Sequence, residues 1–161
     1  MIESTRDELA ELLMQREEKV VFAESCTGGL VAATMAQVNG VSNHLCGSAV
    51  TYRPDLKQHW LAVDAESIEA HTCESREVVE LMARGVLERA LEANWAAAVV
   101  GHLTGECFAW VAIGHRRAET IQVVACARYE LRAKSRVARQ AEAAEIVLRD
   151  LVSCLRQSTD D

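Results

Sequence analysis

The stretch Val20-Val21-Phe22-Ala23-Glu24-Ser25-Cys26-Thr27-Gly28-Gly29, running into Leu30-Val31-Ala32-Ala33-Thr34-Met35, constrains the fold of this chain more than any other. A short β-branched and aromatic run stops at small and polar residues, and an alanine-rich segment without Gly or Pro follows. That pattern predicts a strand, a tight turn and a helix N-terminus. Ser25 or Thr27 is placed to cap the helix by accepting from its first free amides. Gly28 and Gly29 have no side chain to keep a ligand from those amides, and the helix dipole favours negative charge there. A hydroxyl, a thiol and a set of backbone donors therefore meet at one point. The same residues also make an ordinary well-capped turn, and alone they do not decide between the two.

The remaining sequence supplies a frame for this turn. The 161 residues show no break in composition, so one domain over 1–161 is expected, and 50% hydrophobic residues suffice for a core. Leu9, Leu12 and Leu13 recur at helical spacing between Ser4 and Glu18, with Ser4 or Thr5 as cap. A helix from Leu30 to about Gln37 ends at Asn39-Gly40, and a second strand ends near Tyr52. The only proline, Pro54, is pre-set for a first helical position, opening a short helix that displays Lys57. Asp64 to Ser67 caps another short helix. Glu74 or Ser75 opens a longer one through Ala93, with Val78, Val79, Met82, Val86, Leu87 and Leu91 as its buried stripe. Strand-like runs follow at Ala96 to Val100, Cys107 to Ile113 and Thr120 to Ala127, the last two joined by a hairpin over Gly114 to Glu119. A final helix runs from Lys134 to Leu155, with Val137, Ala141, Ala144, Ile146, Val147, Leu148 and Leu151 towards the core, and the polar tail 157–161 is expected to fray. Helices before, between and after the strands predict an α/β fold, a three-layer α/β/α sandwich with a mixed sheet of about five strands. In such sheets ligands bind at the carboxyl ends of strands, here at Ser25 and Tyr52.

Composition excludes several function classes. A net charge of −7 and a pI near 5.3 argue against a nucleic-acid partner, which needs clustered Lys and Arg. The N-terminus lacks the basic-then-apolar order of a signal peptide, and no apolar run approaches the ~20 residues that span a bilayer. A cytoplasmic protein with no membrane partner is the expectation. The six cysteines, Cys26, Cys46, Cys73, Cys107, Cys126 and Cys154, contain no CxxC. Structural thiols are expected rather than disulfides or metal ligands, and His44, His59, His71 and His115 show no metal-binding spacing.

The heptapeptide Ala23-Glu24-Ser25-Cys26-Thr27-Gly28-Gly29, followed by Val50-Thr51-Tyr52 and Lys57, resembles the CinA C-terminal domain family. Its characterised members are nicotinamide-nucleotide amidases, which release ammonia from nicotinamide mononucleotide (NMN). The second family motif reads roughly G-S-S, a spacer, then G-G-V-V-T-Y-S-N-x-x-K. It has its counterpart in Gly40-Val41-Ser42 and Gly47 to Lys57, and Leu61-Ala62-Val63 resembles the following L-G-V.

The resemblance implies a metal-independent amidohydrolase without a cofactor, acting on a linear amide of a pyridine nucleotide or related small molecule. Ser25 matches the nucleophile, and Tyr52 and Lys57 match its activating partners. Donors at Cys26, Thr27, Gly28 and Gly29 would bind an oxyanion or phosphate. Cys26 itself is a second candidate nucleophile, more simply read as a core thiol. Family members generally form homo-oligomers, and a stand-alone C-terminal-type domain without pyrophosphatase activity is expected.

The sequence also departs from the family. A long glycine- and proline-rich loop that helps form the nucleotide site is cut back to Gly101-His102-Leu103-Thr104-Gly105-Glu106, and Arg53-Pro54 replaces Ser-Asn. Glu24, His102 and Thr104 are candidate ligand contacts, and Arg136 and Arg139 fall near family arginines. The alternative is a catalytically altered or inactive relative that binds another small ligand or serves in assembly.

Overall fold

The computed structural model describes residues 1–158, so the last three residues of the polar tail lie outside the described ones. Five strands form one sheet: β1 (Val20–Glu24), β2 (Leu45–Val50), β3 (Trp95–His102), β4 (Phe108–Arg117) and β5 (Thr120–Glu130). Their order is β2-β1-β3-β4-β5. The pairs β1–β2 and β1–β3 are parallel, and β3–β4 and β4–β5 are antiparallel, as a mixed sheet requires.

The helices are α1 (Ile2–Arg16), α2 (Leu30–Met35), α3 (Pro54–Leu61), α4 (Ala65–His71), α5 (Arg76–Arg89) and α6 (Arg136–Gln157). β1 is buried along its whole length, because both sheet faces are covered. Phe22, Ala97 and Val99 point into one core with α1, α2 and α6. Val21, Ala23, Ala98 and Val100 point into the other with α5 and Leu61 of α3. This is the three-layer arrangement. Among the described residues no helix is long and apolar enough to cross a membrane.

Local capping follows the sequence where a short polar side chain precedes a helix. Asp64, Ser75 and Ser135 accept from Ser67 N, Val78 N and Ala138 N. Ser4 and Thr5 differ: α1 starts ahead of them, and their hydroxyls donate to Met1 O. The hairpin also differs. β4 runs on to Arg117 and pairs with Thr120, leaving a two-residue turn at Ala118 and Glu119. The polar His115 to Arg117 reads as loop, yet the ring of His115 stacks on Trp95 at 3.8 Å, and Arg116 donates to Ala93 O and Leu87 O. Leu91 lies beyond the end of α5 and is exposed. Val137 and Ala141 lie in the part of α6 before its buried stripe begins at Ala143, and they are exposed too.

Candidate active site

Glu24, the last residue of β1, organises the turn. Its carboxylate is fully buried and accepts five hydrogen bonds. Oε2 takes them from Thr27 Oγ1 (2.7 Å), Gly29 N (3.0 Å) and Val31 N (3.1 Å), and Oε1 from Ala32 N (3.0 Å) and Ser48 Oγ (2.9 Å). A buried carboxylate needs donors, and a helix start has unpaired ones. Gly28 and Gly29, at φ +64° and +100°, let the chain fold back far enough to bring them together.

This corrects three expectations. Glu24 is not open to a ligand, because every oxygen is engaged inside the protein. Neither Ser25 nor Thr27 caps α2; Glu24 does so from the preceding strand. Gly28 and Gly29 do not present amides to an anion, since Gly28 N donates to Ser25 O at 3.0 Å and Gly29 N to Glu24. Among the described residues, the amides of Cys26 and Thr27 have no such acceptor.

Ser25 follows at the carboxyl end of β1, nearly buried, its amide donating to Val99 O of β3 at 3.1 Å. Lys57 comes up from α3 and is only 1% exposed. Its Nζ lies 3.1 Å from Ser25 Oγ, 2.6 Å from Thr51 O and 3.4 Å from Tyr52 O. Among the described residues no carboxylate forms an ion pair with it. Burial therefore holds its pKa below the ordinary lysine value, and the neighbouring Cys73, Glu74 and Cys26 offset this only in part. A neutral amine has two N–H groups and one lone pair. Two carbonyls can take the N–H groups, leaving the lone pair for the Ser25 hydroxyl.

Tyr52 meets Lys57 through its main-chain carbonyl. Its side chain is half exposed, and its hydroxyl accepts from Arg136 Nη2 of α6 at 2.8 Å. Of the two activating partners expected for Ser25, Tyr52 thus reaches the lysine only by its carbonyl; the strand ends before Tyr52, and the ring is turned outward. Two further α6 residues reach the same region. Arg139 donates to Leu103 O and Ala133 O, and Gln140 Nε2 donates to Cys26 O. His102, at the end of β3, places Nε2 3.6 Å from Glu74 Oε2 and packs edge-on against Phe108. Thr104 is exposed at the tip of the turn.

Gln140 and Glu74 were not legible as site residues, because each sits in a helix-forming run with no motif around it. Cys26 packs in the α6-side core, and burial pushes its thiol up to about 12, which disfavours it as a nucleophile beside Ser25. The six cysteines are free thiols, but Cys46 is exposed rather than part of a core. Among the described residues no three His, Cys, Asp or Glu side chains come together as metal ligands. Surface grooves of about 450 and 490 Å³ lie around Arg128 and Arg132 at the β5–α6 side, the second reaching Ala133 and Arg139.

Comparison with known proteins supplies the lineage. A family model described as CinA C-terminal domain matches residues 2–155. The chain belongs to that family. A CinA-like protein of Prochlorococcus marinus (strain MIT 9312) is 43% identical over 89 residues, covering 55% of this chain and 21% of that protein. Another, from strain NATL2A, is 37% identical over 99 residues, covering 62% and 23%. The chain thus spans about a fifth of the length of these curated relatives. Among solved structures, a competence-damaged protein (CinA) superfamily protein from Klebsiella pneumoniae superposes with a TM-score of 0.88 at 25% identity, covering 98% of this chain and 99% of that one. A competence/damage inducible protein from Agrobacterium tumefaciens gives 0.83 at 26% identity, covering 96% and 95%. The family match thus runs from the start of α1 into the last turn of α6.

Proposed function

We propose that this CinA-family chain is an amidohydrolase in which Ser25 is the nucleophile and Lys57 its general base. The observation that carries the reading is the buried Nζ of Lys57, 3.1 Å from Ser25 Oγ and, among the described residues, without a carboxylate partner. A serine hydroxyl needs a base to take its proton, and a lysine serves only when part of it is neutral at working pH.

In this account Ser25 Oγ attacks the amide carbonyl carbon as its proton passes to Lys57 Nζ. The oxyanion that forms faces the amides of Cys26 and Thr27. The C–N bond breaks, the nitrogen takes the proton from the Lys57 ammonium, and ammonia leaves an acyl ester on Ser25. Water then attacks this ester, giving its proton to Lys57. The acid is released, and the Ser25 hydroxyl is restored. Tyr52 supports the base with its carbonyl, while Glu24 fixes the turn.

The substrate follows from the family resemblance: NMN, converted to nicotinate mononucleotide and ammonia. Ammonia release from NMN by the purified chain tests this beside Ser25→Ala and Lys57→Ala. Turnover by the wild type and loss in both variants supports the reading. A folded wild type that neither releases ammonia nor shows a thermal shift with NMN contradicts it and favours the non-catalytic alternative.

A further inference from the structure

The surroundings of Ser25 carry opposite charge on two sides. Strand order puts the end of β1 between those of β2 and β3, so Ser25 lies between Tyr52 and His102. On the α6 side stand two guanidiniums held by neutral groups. Arg136 is bound to the Tyr52 hydroxyl, and Arg139 to the carbonyls of Leu103 and Ala133. Neither has a carboxylate partner among the described residues.

On the α5 side stands Glu74, immediately ahead of the Ser75 cap. Its neighbour is His102, whose Nε2 lies 3.6 Å from Oε2, and the two side chains are 30% and 51% exposed. The short turn after β3 leaves this pair uncovered. The neighbouring charges are already matched: Arg53 by Asp55, and Arg128 by Glu106. The charge of Glu74 is felt at Lys57, where it partly offsets the lowering by burial.

We propose that Glu74, braced by His102, and Arg136, braced by Tyr52, are specificity-determining residues that select a dipolar amide. A cationic group of the substrate faces α5, an anionic group faces α6, and the carboxamide lies between them at Ser25. Opposed charges of this kind fix the register of a small ligand and penalise its mirror placement. The inference rests on the Ser25–Lys57 amidase reading and deepens it. NMN, with a pyridinium ring and a phosphate, is one member of the class.

Ammonia release is followed for four amides: NMN, nicotinamide riboside (ring cation only), reduced NMN (phosphate only) and nicotinamide (neither). Glu74→Gln is expected to raise KM about tenfold or more for NMN and the riboside, and less than twofold for the other two. Glu74→Asp should recover part of the loss. Arg136→Gln should raise KM for NMN and reduced NMN alone. A KM change of equal size across all four amides overturns the inference while leaving the amidase reading intact. A wild type silent on all four overturns both.

Discussion

Lys57 Nζ stands 3.1 Å from Ser25 Oγ in a pocket where its other partners are the main-chain carbonyls of Thr51 and Tyr52. A cation is costly in such a place, whereas a neutral amine fits it. Lys57→Met keeps the length and apolar bulk of the side chain while removing the base. Ammonia release should fall roughly 100- to 10,000-fold, as for loss of a general base. The protein should stay folded, because no carboxylate loses an ion-pair partner.

Stability gives an independent reading of the same substitution. The folded pKa of Lys57 lies below its unfolded value, so between the two the unfolded chain binds more protons and stability rises with pH. Above both values the contribution has vanished. Melting curves taken across that window should show a positive slope from Lys57 that Lys57→Met lacks. An unchanged slope contradicts the assignment.

Tyr52 touches the lysine through its carbonyl, and its phenol is bound to Arg136. Tyr52→Phe leaves the carbonyl in place and should lower kcat less than tenfold. Its effect should fall mainly on KM, because Arg136 loses its brace. A collapse of kcat matching that of Lys57→Met would return a direct chemical role to the phenol.

Glu24 accepts from five donors. Glu24→Gln turns an amide N–H₂ towards some of them, leaving buried donors unpaired. A loss of about 2–4 kcal/mol is expected in denaturant unfolding, along with loss of activity as the Ser25 turn loosens. A stability change under about 1 kcal/mol shows that the turn does not depend on this carboxylate.

Gly85 lies where α5 crosses the end of α3. A Cβ there would stand 1.9 Å from Leu61 O, a backbone atom that cannot move aside alone. Gly→Ala in a helix ordinarily stabilises by up to ~1 kcal/mol. Here Gly85→Ala should cost about 2 kcal/mol or more and, by displacing α3, reduce activity through Lys57. Unfolding midpoints and ammonia release measure the two effects separately.

The sequence made much of the fold readable for stated physical reasons. Val20 to Ala23 could only be a buried strand. Asp64 and Ser75 announced their helices as short polar caps, and Val78 to Leu87 carried a clean helical stripe. Long-range packing hid the rest. His115 and Arg116 look like loop residues until Trp95, Leu87 and Ala93 supply partners, so the hairpin came out too long in the loop and too short in the strands.

At the site, the Ser25–Lys57 pairing was accessible through the family resemblance, whereas Glu24 was misread as a ligand contact. No local rule tells that a strand-end carboxylate turns back to cap the next helix. Glu74 and His102 are 28 residues apart in sequence, and only the fold brings them together.

Ser25 faces a lysine that sheds its proton more readily than an ordinary one. The chain has three lysines, Lys19, Lys57 and Lys134, so an NMR titration of the side-chain ammonium groups can resolve each, with Lys57→Met assigning its signal. Lys57 should titrate below 10.5, while the hydrogen bond and charge of Glu92 hold Lys19 above it. A Lys57 midpoint at or above 10.5 contradicts the account, because a lysine that keeps its proton cannot take one from Ser25.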